Sequence, residues 1–395
     1  MKDICKLLIK IVSRTILKLF YIFPIKNNKI FFMSNFGKNY NCNPKYIYES
    51  MIEDSNFSNI DYIWCFKNKE DKCLPKNNST KTISKKNLFV YFYHLLTSRV
   101  IIYNCGGFSY APIRKKQFLV ETWHGGGVFK KVGLTVQNKS NSSKIGIKLA
   151  SKDIKLYLSS CECASKNVIR ESMGYKGEIL DSGSPRNDMF FNSLDKNKMN
   201  ELKKKLKIDS KKNIVLYAPT FKGREDKAVN IKGEYETINP LVIKTILKEK
   251  FGGDWIFLTR GHQYAGKIKL NGEDYDVSSY ENMQDILLIS DVLITDYSSS
   301  MWDFGIMRKP CFLFVSDLDD YKNNERGFYI NIKEWPGIIC KNNEELSYSI
   351  MNFSKEKYNK KIENYFKKVK SYEKGTACSD VKNRILKEIE HDKKI

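Results

Sequence analysis

Residues 291–305 read DVLITDYSSSMWDFG: a short apolar run ending at Asp296, a hydroxyl-rich turn, and a segment in which Met301 and Phe304 can pack inward as a helix. The run is unbroken rather than alternating, the pattern of a strand covered on both faces. Strand, tight turn and helix in that order predict one unit of a parallel α/β sheet. The turn has two compatible readings. Ser298, Ser299 or Ser300 can cap the helix, and the same geometry aims backbone N–H groups and the positive helix end at an anion, with the hydroxyls as further donors.

The pattern recurs outward from this stretch. NIVLYAP (213–219), WIFLTR (255–260) and CFLFV (311–315) read as sister strands, with a helix over 241–250. Upstream, KIFFMS (29–34), YIWCF (62–66), VIIYNC (100–105), FLVETW (118–123) and LYLSS (156–160) make an earlier series, with helices over 44–51, 87–96 and 162–173. The expected fold class is α/β, with two doubly wound, Rossmann-like domains facing a cleft. In such open sheets ligands sit beyond the carboxyl ends of the strands. The expected partition is an amphipathic helix over 1–28, α/β domains over 29–194 and 195–353, and a helical tail over 354–395.

A chain of 395 residues is long enough for two such domains. Its formal net charge of +23 calls for an anionic partner: nucleic acid, an acidic membrane surface or a phosphate-bearing substrate. The ten cysteines are scattered without the paired spacing of a zinc site, so reduced thiols are expected and neither metal nor cofactor is. The sequence contains no Walker loop and no G-x-G-x-x-G, which removes support from ATP hydrolysis and nicotinamide chemistry.

The N-terminus, MKDICKLLIKIVSRTILKLFYIFPIK, places Lys2, Lys6, Lys10, Arg14 and Lys18 four residues apart, a basic stripe on one helical face. Charge at every turn rules against a spanning helix. The remaining face is wide and oily, so a helix lying in the interface of an acidic membrane is expected, with the five cations on headgroups. A cleaved signal peptide and a helix packed on its own domain are the rivals. A nucleic-acid binder would interleave aromatics with a basic groove, whereas the most regular basic run sits on this oily helix, so no nucleic-acid partner is expected.

Of four histidines, two close strands: His124 in ETWHGGGVFKK (121–131) and His262 after Arg260. A neutral imidazole is the usual side chain for taking a proton from a hydroxyl near neutral pH. Gly125 to Gly127 let backbone approach a ligand, and Lys130 and Lys131 add positive charge nearby. Arg260 and His262, two apart in extended chain, project to one side and can address one anion.

WHGGGVFKKVG, GSPRNDMFF (183–191), LYAPTFKG (216–223), ISDVLITDYSSSMWDF (289–304) and DDYKNNERGFYI (319–330) with WPGIIC (335–340) together resemble the ordered signature of the CDP-glycerol glycerophosphotransferases of teichoic acid synthesis. The resemblance implies a GT-B architecture, with the acceptor side in 29–194 and CDP in 195–353. It also implies peripheral attachment to the cytoplasmic face of the membrane. The activity it implies is transfer of glycerol phosphate from CDP-glycerol to a hydroxyl of a lipid-linked surface-glycan or teichoic-acid acceptor, releasing CMP. The proposed catalytic histidines of the family fall on His124, as base, and His262. Donor contacts implied are Arg260, Thr295, Ser298, Ser299, Ser300, Thr220, Lys222 and Arg326; Gly125, Lys130, Arg186 and Asn187 are further substrate contacts. The chain departs from the family's usual Thr-Pro after W-H-G, where it has Gly126-Gly127. CDP-ribitol as donor, or a nucleotide-sugar glycosyltransferase of the same fold, are the alternatives, since fold does not fix chemistry.

Overall fold

The computed structural model describes residues 2–68, 74–137, 139–191, 196–220, 238–261, 272, 274–318, 321 and 327–391. The chain divides into two compact units, Met1–Met189 with Lys370–Ile395, and Phe190–Val369.

The first unit is built on β1 (Lys26–Met33), β2 (Asp61–Phe66), β3 (Thr80–Ser84), β4 (Ser98–Tyr103), β5 (Phe118–Glu121), β6 (Leu156–Leu158) and β7 (Glu178–Leu180). They form one parallel sheet in the order β3-β2-β1-β4-β5-β6-β7. Successive side chains of a strand point to opposite faces, and both faces are filled. Ile30, Phe32, Trp64, Val100 and Ile102 pack with Tyr48 and Met51 of the helix Cys42–Ile52. Phe31, Met33, Ile63, Ile101 and Tyr103 pack with Tyr91 and Leu95 of the helix Leu88–Thr97. Pairing Phe31 with both Ile63 and Ile101 keeps these two sets apart. A one-residue slip would exchange them. Each such large apolar side chain contributes about 1.5–3 kcal/mol through burial.

The second unit repeats the plan with β8 (Asn213–Ala218), β9 (Trp255–Thr259), β10 (Tyr275–Asp276), β11 (Val292–Thr295), β12 (Cys311–Phe314) and β13 (Ile338–Cys340). The parallel order is β10-β9-β8-β11-β12-β13. Strand order reverses at β1/β4 in one sheet and at β8/β11 in the other, the places where doubly wound sheets open a crevice at their carboxyl ends.

The long apolar runs became strands as expected. The strands not read from sequence, β3, β7, β10 and β13, are short, lie at or near sheet edges and are partly exposed, so none shows a long apolar run. The C-terminal stretch does not stay together. The helix Lys355–Val369 belongs to the second unit, whereas the helix Ala377–His391 returns to the first, where Val381 and Ile385 join the core against β1 and β4.

The N-terminal helix α1 (Lys2–Ile16) is amphipathic, but its faces point opposite to expectation in part. Arg14 donates to the carbonyls of Ala111 (2.8 Å) and Phe108 (3.3 Å) and pairs with Asp153 at 2.7 Å. Lys10 donates to the Ser142 carbonyl at 3.1 Å, and the Asp3 carboxylate accepts from the Ser142 N–H. Two of the five cations therefore fasten the helix to its own unit instead of facing outward. Ile4, Leu8, Ile9, Val12 and Ile16 are left exposed, continued by Leu19 and Ile22, which are 71% and 80% exposed. Among the described residues no helix is long and apolar enough to cross a membrane.

Candidate active site

The loop carrying His124 leaves β5 at the carboxyl edge of the first sheet. Trp123 takes a left-handed backbone, φ 54°, which costs a bulky L-residue roughly 1–2 kcal/mol and needs outside support. That support comes from four directions. Asn43 Nδ2 donates to the carbonyls of Thr122 (2.9 Å) and Trp123 (3.0 Å). The Arg186 guanidinium donates to the His124 carbonyl, and the Arg186 N–H donates to Asn43 Oδ1 at 3.1 Å. The Gly127 N–H donates to Ser160 Oγ at 3.0 Å. The ring of His124 is held by Asn104, whose carbonyl oxygen lies 2.8 Å from Nδ1. A carbonyl only accepts, so Nδ1 carries a proton, and in the neutral form of the ring the lone pair is on Nε2. His124 is exposed, so the imidazole is oriented by the protein and presented to solvent. That is what a general base requires.

Glu121, the last residue of β5, is fully buried. Its Oε2 accepts the N–H groups of Gly106 (2.8 Å) and Gly107 (2.9 Å), and its Oε1 accepts that of Trp123 (3.0 Å). Burial pushes the carboxyl up to about 8, against the three N–H donors, which favour the ionised form. The side chain ties the loop after β4, which supplies the Asn104 carbonyl, to the loop of His124. Neither Glu121 nor Asn104 was among the expected site residues. The available signal for Glu121 was a carboxylate closing an otherwise apolar run, which a buried strand rarely tolerates without partners.

Arg186 and Asn187 reach the same place but turn inward. Both are buried, and Asn187 Nδ2 donates to Glu373 Oε1 at 3.1 Å. Arg186 thus braces the backbone of His124. Gly125 lies with Trp123, Gly127, Ser159, Ser160 and Ser184 around a small cleft at the ends of β5 and β6, and Lys130 is half-buried further along the same loop.

In the second unit the crevice between β8 and β11 gathers Thr220 and the 295–300 turn. Asp296 accepts from the Thr220 N–H (2.9 Å) and hydroxyl (2.8 Å), clamping the two strand ends together. Thr295 is buried and its hydroxyl donates to the Ala218 carbonyl at 2.6 Å. Ser298 Oγ accepts from the N–H (3.2 Å) and hydroxyl (2.9 Å) of Ser300, shaping the entry to the short helix Ser300–Ile306. Ser299, at its N-cap, makes no capping bond with its side chain. Arg260, at the end of β9, donates to the Val277 carbonyl (3.1 Å) and the Tyr280 carbonyl, and burial lowers its pKa. Its guanidinium braces the 277–280 turn. His262, Lys222 and Arg326 lie outside the described residues.

The sequence profile of the family described as CDP-Glycerol:Poly(glycerophosphate) glycerophosphotransferase matches residues 15–387. A teichoic acid poly(glycerol phosphate) polymerase of Staphylococcus epidermidis is 32% identical over 92% of this chain, which spans 51% of that protein. A teichoic acid glycerol-phosphate transferase of Staphylococcus aureus is 31% identical over 98% of this chain and is covered along 100% of its own length. The solved wall teichoic acid polymerase TagF superposes with a TM-score of 0.81 at 26% identity, covering 99% of this chain and 98% of that one. A histidine variant of it has been soaked with CDPG. Two parallel sheets with flanking helices, matched to that structure, make this an α/β fold of the GT-B-like, two-domain kind.

Proposed function

Because the chain belongs to the CDP-glycerol:poly(glycerophosphate) glycerophosphotransferase family, we propose that it transfers glycerol phosphate from CDP-glycerol to a hydroxyl of a lipid-linked surface-glycan or teichoic-acid acceptor and releases CMP. The observation that carries this reading is the seating of His124. Its Nδ1–H donates to the Asn104 carbonyl, so that in the neutral ring the proton-accepting lone pair belongs to Nε2. In the reaction the acceptor oxygen attacks the phosphorus that bears glycerol. The bridging P–O bond to CMP breaks, CMP leaves with the electron pair, and the acceptor proton passes to His124. Such a transfer depends mainly on positioning and on donors aimed at phosphate oxygens. The backbone N–H groups and hydroxyls of Ser298 and Ser299 and the cations Lys222 and Arg326 fill that role for the donor, while Ser300, which donates to Ser298 Oγ, and Thr220, which donates to Asp296, shape the turn that presents them. His262 stabilises the charge moving onto CMP. Arg260 and Thr295 contribute by holding the donor crevice in shape, Arg186 by holding the loop of the base and Asn187, next to it in sequence, by its bond to Glu373, while Gly125 and Lys130 line the acceptor side.

The same reading places the protein at the cytoplasmic face of the membrane. The outward stripe of α1 (Lys2–Ile16), from Ile4 to Ile16, continues through Leu19 and Ile22 and is extended by exposed Leu88 and Phe89, whose ring lies 5.4 Å from that of Phe20. An apolar face of this kind on a helix already fastened to its unit enters the headgroup region without spanning it, and exposed Lys6 and Lys18 add attraction to acidic lipid.

The test is nucleotide release. The purified protein, given a lipid-linked acceptor, should liberate CMP from CDP-glycerol in preference to CDP-ribitol and should leave nucleotide sugars intact. Release from a nucleotide sugar alone would transfer the chain to the glycosyltransferases.

A further inference from the structure

The loop that follows β1 (Lys26–Met33) holds a side chain that the reading above does not use. Asn35, Phe36 and Gly37 stand consecutively in the left-handed region, at φ 46°, 59° and 84°. Asparagine and glycine accept that backbone readily, and a phenylalanine does not. At Gly37 even a Cβ is excluded, since it would sit 2.9 Å from the backbone nitrogen of Lys67. Packing does not account for Phe36, because the side chain is 55% exposed and meets Tyr103 only edge-on at 6.1 Å.

The conformation is enforced by Asn104. Its Oδ1 accepts the Asn35 N–H at 2.9 Å, and its Nδ2 donates to Asn35 Oδ1 and Ser34 Oγ, each at 3.3 Å. Asn35 Nδ2 and Ser34 Oγ in turn donate to Asn41 Oδ1 at 2.9 and 3.0 Å. The carbonyl of the same Asn104 receives His124 Nδ1 at 2.8 Å. One residue therefore holds both the base and the strained loop that carries Phe36, with its backbone on the first and its side chain on the second. A strained residue kept by its surroundings at such a place points to function.

We propose that Phe36 is a subsite for the acceptor, a platform on which a sugar ring stacks next to the hydroxyl that His124 deprotonates. This rests on the reading of the chain as a glycerophosphotransferase. A pyranose offers an apolar C–H face ringed by hydroxyls, and Phe36 offers an exposed apolar ring on a loop whose polar groups are tied to one another and to Asn104.

The experiment compares two acceptors on the full-length protein, an alkyl disaccharide glycoside and an alkyl-linked glycerol phosphate. Phe36→Ala should raise KM for the glycoside about tenfold or more with kcat nearly unchanged, and should leave KM for the sugar-free acceptor within about twofold. Phe36→Trp should restore the glycoside KM. Phe36→Gly suits the left-handed backbone, so it should fold at least as stably as wild type while showing the same KM defect as the alanine variant. An unchanged glycoside KM, an equal rise for both acceptors, or a loss of CMP affinity in place of acceptor affinity would overturn the proposal. The fluorescence of the Phe36→Trp variant, titrated with the glycoside in the absence of donor, reads the subsite independently of chemistry. A wild-type protein that releases no CMP from CDP-glycerol would refute the proposed activity yet leave that titration to decide the subsite.

Discussion

Replacing Glu121 with glutamine should change how the stability of the first unit depends on pH. The carboxyl is buried and held up at about 8, whereas its ordinary value is 4.5. For an acid whose folded pKa is raised, the unfolded chain loses its proton first, so between those two values the folded state binds more protons and stability falls as pH rises. Each unit of difference is worth about 1.4 kcal/mol, which gives a loss on the order of 5 kcal/mol across the interval, completed as pH passes the folded value. Glutamine cannot ionise and should remove that slope. It also has one accepting oxygen where the carboxyl uses two: Oε2 serves Gly106 and Gly107, and Oε1 serves Trp123. Its amide nitrogen must face one of those donors, at a cost of about 1–3 kcal/mol. The variant should therefore unfold more easily than wild type near pH 5, and the gap should close or reverse near pH 8. Denaturant melts of both proteins, followed from pH 5 to 9 by the fluorescence of Trp64 and Trp123 against variants lacking them, measure this. Parallel pH dependences would show that the three N–H donors fully stabilise the carboxylate and that burial does not raise it.

His124→Ala should lower turnover by about two to four orders of magnitude with little change in CDP-glycerol affinity, as measured by CMP release and calorimetry; near wild-type turnover would remove it as base. Asp296→Asn should weaken CMP binding by roughly tenfold, because Thr220 keeps one acceptor but loses the charge that draws its N–H and hydroxyl, and unchanged calorimetry would place the nucleotide elsewhere. Ser298→Ala with Ser299→Ala should weaken the same binding with the fold intact. Changing Ile4, Leu8, Ile9 and Leu19 together to serine should abolish flotation with acidic vesicles while thermal stability stays near wild type. Arg14→Glu should instead lower thermal stability, since Arg14 is bound to Asp153 and two carbonyls, and a variant that keeps full stability would show that this contact does not hold the helix.

Most of the fold was legible because a parallel strand buried on both faces must be apolar along its whole length, as VIIY and VLIT are, and no distant partner changes that demand. The places where those runs stop could also be read, and they carried His124, Thr220 and the Ser298 to Ser300 turn to the carboxyl edges of their sheets. Edge strands such as Thr80–Ser84 escaped notice because one side of them meets solvent and the pattern dissolves. The direction in which a polar side chain turns was a different matter. Arg186 and Arg260 looked like cations for a phosphate, yet both spend their guanidinium on backbone carbonyls, those of His124, Val277 and Tyr280. Lys10 and Arg14 looked like partners for lipid, and their acceptors lie about a hundred residues along the chain, at Phe108, Ala111, Ser142 and Asp153. Periodicity fixes which residues share a face of α1, because that is a property of the helix alone. Which face meets the protein depends on where sheet order and register place the carbonyls of other loops, and a local pattern holds no information about groups so far away in sequence. The same physics hid Glu121 and Asn104: the N–H groups of Gly106 and Gly107 and the Asn104 carbonyl that give them their roles are brought within 3 Å of Glu121 and His124 only when β4 and β5 lie side by side.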